Sequence, residues 1–300
     1  MFRLAHFLLF SLALVCAFGA SDPALEELKA KALAGDANTQ LALGARYDYG
    51  LGVKQSYKDA ARWYGLAAKS GLAVAQNSLG SLYLSGSGVP KDYPKALALF
   101  HQAAEQGEAN AECSIGFMYD SGSGVPKDPE QANSWYQKAA EHDNALAQYN
   151  LGLSYSDGSG VAPSTTQAFI WFEKAAKHGL AKAQLKTGFC YYNGVGVTED
   201  SGKAIVWYRK AADQGDVPAI ANLGVAYKDG KGVPKDLVES WAWLDIARFA
   251  TQHSNDMRTK WGIRKYLDDV TNQLSSAQLK LAKERAKQLE EELKAKQPKT

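Results

Sequence analysis

Apolar and small residues return along this chain at two nested intervals. Ala75, Leu79 and Tyr83 stand four apart, which places them on one side of an α-helix. A second stripe, such as Ala132, Trp135, Tyr136 and Ala139, has the same helical spacing and follows further along the same kind of unit. The whole alternation then repeats: the chain realigns on itself every 36 residues, from Gly35, Gly71, Gly107, Asp143, Gly179 and Gly215, with no insertion. A period of that length containing two helices is the signature of a stacked array, in which each unit buries its apolar face only against its neighbours.

Glycine punctuates the pattern in two ways. At the tenth place of every unit stands Gly44, Gly80, Gly116, Gly152, Gly188 or Gly224, and tyrosine follows three residues later at Tyr47, Tyr83, Tyr119, Tyr155, Tyr191 and Tyr227. Both fall inside the first helix, where glycine costs about 1 kcal/mol relative to alanine. Six at one place therefore require a compensating close approach by a partner helix. A Gly-x-Gly-Val element closes each first helix, for example Gly122 with Gly124, and its first glycine suits a left-handed cap. Start signals for the second helix come next: Asp128-Pro129-Glu130-Gln131, Ser164 with Gln167, and Asp236 with Glu239. The second-helix stripe pairs an aromatic doublet with alanines, as in Ala168, Trp171, Phe172 and Ala175, or Ala204, Trp207, Tyr208 and Ala211, with Leu99 and Phe100 as the aliphatic variant. Each buried ring removes roughly 150 to 250 Å² from water, so Trp63, Trp135, Trp171 and Trp207 are read as structural.

The segment GEANAECSIGFMYDSGSGVPKDPEQANSWYQKAAEH carries all of these places and resembles the Sel-one-like repeat family, relatives of the tetratricopeptide repeats. The resemblance extends from Gly35 to about Ala250. It implies an all-α, right-handed α-α superhelix: a solenoid of six 36-residue helix pairs at 35–70, 71–106, 107–142, 143–178, 179–214 and 215–250. Helical caps are expected at both ends. Residues 20–34 supply one, opened by Asp22-Pro23 and carrying Leu25, Leu28 and Leu33. Residues 251–300 supply the other, as one helix with Ile263, Leu267, Val270 and Leu274, and a second from Ser275 with Ala282, Ala286, Leu289 and Leu293 before a charged tail. The sixth repeat departs from its siblings with Ser240, Leu244 and Arg248 where alanine, an aromatic ring and alanine are expected, as terminal repeats do.

Composition narrows the partners. With 34 basic and 32 acidic residues the net charge is +2, too little to attract nucleic acid by field alone. Residues 1–19 read as a cleavable signal peptide: Arg3, a short apolar run from Phe7 to Phe18, then small residues before Ala20. The run is shorter than the roughly 20 residues a spanning helix needs, so an exported, periplasmic or secreted protein without membrane insertion is expected. Lipid attachment at Cys16 is disfavoured by Val15. Cys113 and Cys190 lie two repeats apart, beyond the reach of a disulfide.

No residue set in the chain supports catalytic chemistry. Gly-Ser-Gly-Val-Pro-Lys-Asp follows a helix and not a strand, unlike a phosphate-binding loop. His142 and His178 share the last place of successive repeats, too far apart for one zinc ion, and His101 and His253 have no partners at ligand spacing. Some cysteine-rich helical-hairpin relatives are linked by resemblance to penicillin binding, and Lys186-Thr187-Gly188 matches one motif of such enzymes. The chain has no Ser-x-x-Lys motif, so a β-lactam-binding hydrolase is a distant alternative. No catalytic residue, cofactor or metal ligand is expected.

Family resemblance implies that the concave groove is lined by the first-helix face turned away from the buried stripe. Its seventh, eleventh and fourteenth places in repeats three to five are Cys113, Phe117 and Asp120; Tyr149, Leu153 and Ser156; Leu185, Phe189 and Tyr192. The candidate contacts for a protein or peptide partner are Phe117, Tyr149, Leu153, Phe189 and Tyr192. Three alternatives stay open: the same residues pack against a neighbouring first helix, stack on a cell-envelope glycan, or belong to a spacer with no groove ligand.

Overall fold

The computed structural model describes residues 23–252 and 256–296. The proposed signal segment, Asp22 and His253 lie outside them. Among the described residues the chain is all helix. A capping helix α1 (Pro23–Leu33) precedes six pairs: α2 (Ala37–Tyr49) with α3 (Tyr57–Lys69), α4 (Ala73–Ser85) with α5 (Tyr93–Ala104), α6 (Ala109–Ser121) with α7 (Pro129–Glu141), α8 (Ala145–Asp157) with α9 (Thr165–Lys177), α10 (Ala181–Asn193) with α11 (Ser201–Asp213), and α12 (Val217–Asp229) with α13 (Leu237–Ala250). Two further helices, α14 (Met257–Gln273) and α15 (Ser276–Lys296), end the array. Each helix packs on its pair mate, and each second helix packs on the first helix of the next pair, which makes a solenoid.

The turns follow from the punctuation. Every first helix ends on a left-handed glycine, for example Gly158 at φ +81°, and the N–H of the second helix's N-cap residue then donates to the carbonyl of the recurrent tyrosine, as Ser164 does to Tyr155 at 2.8 Å. The N-cap side chain in turn accepts from the backbone three residues on: Asp128 from Gln131, Ser164 from Gln167, Asp236 from Glu239. The second glycine of the loop has a different cause at Gly88, Gly160, Gly196 and Gly232. A Cβ on Gly160 would strike the Pro129 carbonyl group at the start of the preceding repeat's second helix, so this glycine allows adjacent repeats to meet backbone to backbone.

The aromatic doublet divides its labour. The second member closes the hairpin: a Cβ placed on Gly44, Gly80, Gly116, Gly152, Gly188 or Gly224 would lie 2.5–2.7 Å from Tyr64, Phe100, Tyr136, Phe172, Tyr208 or Leu244. Each of those side chains is buried. The first member, tryptophan, reaches back to the preceding unit. Trp63 joins the cluster of Leu25 and Ala32 of the cap, Trp135 meets the His101 ring and the cluster around Phe100, Trp171 shares a cluster with Tyr136, and Trp207 packs against the cluster that holds Ala175. Trp63 and Trp171 are buried, while Trp135 and Trp207 are half-buried. Lysine ammonium groups lie over Trp135, Trp171 and Trp207 at 4.0, 4.1 and 4.3 Å, from Lys138, Lys174 and Lys210 one turn on.

A polar ladder that the apolar pattern did not announce also joins repeats. The buried amides of Gln40, Gln76, Gln148 and Gln184 donate to the carbonyls of Ala32, Ala68, Ala140 and Ala176, eight residues earlier. Those carbonyls belong to the last turns of the preceding helices, where intrahelical partners run out. Glu112 and Ile220 interrupt the series. Glu112 is buried and its carboxylate is hydrogen-bonded to His142 Nδ1 at 2.9 Å.

One cap position requires correction. Leu33 is 69% exposed, and Ala32 takes the buried place instead. At 3.6 residues per turn, Ala32 lies almost over Leu25 whereas Leu33 is turned about 80° away. Trp261 on α14, outside the repeat stripe, is 68% exposed. The remaining cap positions behave as the spacing predicts: Ile263, Leu267, Val270, Ala282, Ala286, Leu289 and Leu293 are buried. In the sixth repeat Ser240 is buried and donates to the Gly224 carbonyl at 2.8 Å, while Arg248 turns outward to Asp245.

Candidate functional site

In repeats three to five the first helices carry a large apolar residue at the eleventh place, Phe117, Leu153 and Phe189. Phe189 is 47% exposed, whereas Phe117 and Leu153 are half-buried. At the seventh place Tyr149 leans on Phe172 of its own repeat, with ring centroids 5.7 Å apart and tilted by 45°. At the fourteenth, Tyr192 leans on Tyr208 at 6.1 Å and 49°. Tyr149, Leu153, Leu185 and Tyr192 all rest against the core that runs through the last three repeats. Cys113, at the seventh place of the third repeat, is buried.

Thus the packing partners of Tyr149 and Tyr192 include the second helix of the same repeat. Both phenols are pushed up by burial, Tyr149 further by the Asp216 charge and Tyr192 by Asp229, Glu199 and Tyr266. Asp216 and Asp229 belong to the sixth repeat, Glu199 to the fifth and Tyr266 to α14, so one face carries residues of several units toward each other. Lys231 fixes its far end: the ammonium donates to the Tyr192 carbonyl at 2.7 Å, pairs with Glu199 at 3.0 Å and lies 4.3 Å over the Tyr192 ring. Asp216 caps α12 by accepting from Ala219 N–H at 3.0 Å, and burial raises its carboxyl above the usual range in spite of Lys182 nearby. Sequence reasoning passed over Lys231 and Asp216, although an acid at the capping place was a visible signal.

The face holds aromatic edges, phenol hydroxyls and a few charges, which suits reversible contact. Burial pushes the Cys113 thiol up to about 12 and that of Cys190 to about 11, so neither offers a thiolate at neutral pH. Both are free. Thr187, inside the Lys186-Thr187-Gly188 triplet, is buried and donates to the Ala183 carbonyl at 2.8 Å. His142 turns to Glu112 while His178 lies 3.5 Å from Asp143. Among the described residues no three His, Cys, Asp or Glu side chains gather to hold a metal, and no helix is long and apolar enough to cross a membrane.

A sequence profile described as Sel1 repeat matches six successive segments, 37–72, 73–108, 109–144, 145–180, 181–216 and 217–247. They keep the 36-residue period and begin two residues after the positions that marked it in the sequence, Gly35 to Gly215. The solved structures similar to this chain include a protective antigen of uropathogenic Escherichia coli strains displaying an SLR fold, at 35% identity and TM-score 0.76 over 88% of the chain. The chain spans 55% of that antigen's length. A Sel1 repeat protein from Oxalobacter formigenes is 39% identical, with TM-score 0.70, over 76% of this chain and 93% of its own. No functionally curated protein shows significant similarity to the chain.

Proposed function

Because the chain belongs to the Sel1 repeat family, whose members are generally protein-interaction scaffolds, we propose that it is an exported, non-catalytic scaffold that holds a peptide segment of another protein on its first-helix face. The observation that carries this reading is Phe189. A phenylalanine nearly half exposed on a rigid helix leaves apolar area in water that a partner would cover. It stands among Tyr149, Leu153 and Tyr192, whose rings and side chains are already immobilised by the core, so binding would cost little further side-chain entropy. Tyrosine in such a setting is a frequent energetic centre of interfaces. Export rests on the amino-terminal segment, and the absence of catalysis on the lack of any residue set suited to it.

The test is photocrosslinking in cells from an amino acid with a benzophenone side chain installed at Phe189, compared with the same probe at Val206, an exposed position on a second helix. A protein adduct from position 189 and none from 206 supports the reading. Adducts of equal yield from both positions, or adducts to envelope glycan alone, refute it. Cell fractionation that leaves the chain in the cytoplasm would refute export.

A further inference from the structure

The two terminal helices break the rule that every earlier pair obeys. In each repeat the first and second helices form a tight hairpin, but α14 and α15 both pack on α13 and barely touch one another. A trough of about 1070 Å³ runs between them. Its floor carries the apolar side chains of Trp241, Ile246 and Phe249 of α13, and Phe249, at the last turn of that helix, is 63% exposed. Its walls are cationic: Lys260 and Arg264 stand one turn apart on α14, and Lys283 and Lys287 one turn apart on α15. Two of the acids in the lining, Asp245 and Glu290, are already paired with Arg248 and Lys294. Asp268 is the third.

We infer that this trough is a second docking site, separate from the first-helix face, and that its occupant is an acidic amphipathic helix of a partner protein. Charge selects the sign, since cations line both walls and face an apolar floor. Dimensions select the shape. The lining runs from Lys260 to Thr271 on one wall and from Lys283 to Lys294 on the other, about 17 Å each at a helical rise, which is three turns. A helix laid there takes the place of the hairpin partner that each terminal helix lacks, burying its apolar stripe on Phe249 and Ile246 while its carboxylates meet the lysines. A small molecule fits less well, because such sites enclose roughly 70 to 90% of their ligand and this trough is open along one side.

The probe is a synthetic 14-residue helix with leucine at i, i+4, i+7 and i+11 and glutamate at most other places (about four turns by helical rise). Its counterpart carries lysine for glutamate, and binding to the full chain is followed by fluorescence anisotropy. The acidic peptide is expected to bind at least tenfold more tightly than the basic one and to weaken as salt is raised. Lys283→Glu with Lys287→Glu should lower its affinity at least tenfold without lowering Tm, both side chains being exposed. Phe249→Ala should lower it several-fold without changing the salt dependence. The same change of net charge made at Lys54 and Lys127, far from the trough, should leave it in place. The inference is overturned if the acidic peptide does not bind, if both peptides bind equally, or if the charge reversal has no effect. Saturable binding of laurate with no binding of the acidic peptide would likewise overturn it, in favour of a small anionic amphiphile.

Discussion

Replacing Gly152 with alanine should destabilise the fourth repeat, although the same replacement in an ordinary helix stabilises it. The added Cβ would lie 2.5 Å from both Cδ1 and Cε1 of Phe172, against the roughly 3.5–4.0 Å at which carbon atoms attract. The ring must therefore retreat by about 1 Å. It has nowhere to go, being buried between α8 and the neighbouring core. Inserting a methyl group into a close-packed site costs about 1–3 kcal/mol, and the immobility of this ring places the cost near the upper end. Alanine returns about 1 kcal/mol of helix propensity, leaving a net loss of about 2 kcal/mol.

Gly65 supplies the control within the same molecule. It lies inside α3, and a Cβ there would meet only Leu79 Cδ2 at 4.0 Å, an ordinary contact. Gly65→Ala should therefore gain about 1 kcal/mol, so two identical changes differ in sign. Guanidinium titration fitted with a nearest-neighbour repeat model is the suitable assay, because long arrays depart from all-or-none unfolding. Combining Gly152→Ala with Phe172→Ala closes a double-mutant cycle: once the ring is gone, alanine at 152 should turn from a loss into a gain. A Gly152→Ala variant as stable as Gly65→Ala, or a cycle with no coupling, would refute the steric account of the six glycines.

Glu112→Gln should stabilise the third repeat by about 1 kcal/mol, the net worth of one added hydrogen bond. An amide there can donate to the Ala104 carbonyl as Gln76 and Gln148 do to Ala68 and Ala140. A loss of stability in the same titration would mean that the contact with His142 outweighs the ladder. Asp216→Asn should stabilise the chain at neutral pH, since asparagine keeps the cap on Ala219 and removes a charge that burial disfavours. The sign follows from the raised carboxyl: the folded state takes up its proton more readily than the unfolded one, so wild-type stability at this residue recovers as pH falls through the raised value toward 3.8. The advantage of asparagine should accordingly shrink between neutral pH and pH 4, and an advantage that grows on acidification would contradict it.

What the sequence could reveal depended on the range of the interaction. The glycine notch, the left-handed caps and the capping side chains are contacts made at fixed short offsets and repeated six times, so spacing alone exposes them. The glutamine ladder is equally regular, yet a reading that follows apolar periodicity steps over Gln40, Gln76, Gln148 and Gln184 because they are polar. Trp171 and Phe172 adjoin in sequence but lie about 100° apart around the helix, and only the packing shows that one reaches back a repeat while the other closes its own hairpin.

The proposed binding faces lie furthest from sequence reasoning, for a related reason. A stripe such as Ile263, Leu267 and Val270 states that a face is buried without stating what buries it. Both terminal helices spend their stripes on α13, and the trough between them is the consequence of a contact that neither sequence requires. On the first-helix face, the seventh, eleventh and fourteenth places carry no constant residue, so their exposure cannot be read from the repeat pattern. Tyr192 is covered by Lys231, 39 residues later, while Phe189, three residues before it, keeps nearly half its surface in water. Exposure there is set by the next repeat's loop. Any peptide that binds must therefore thread past Lys231, and its affinity should be sensitive to that lysine as well as to the aromatic residues it would touch.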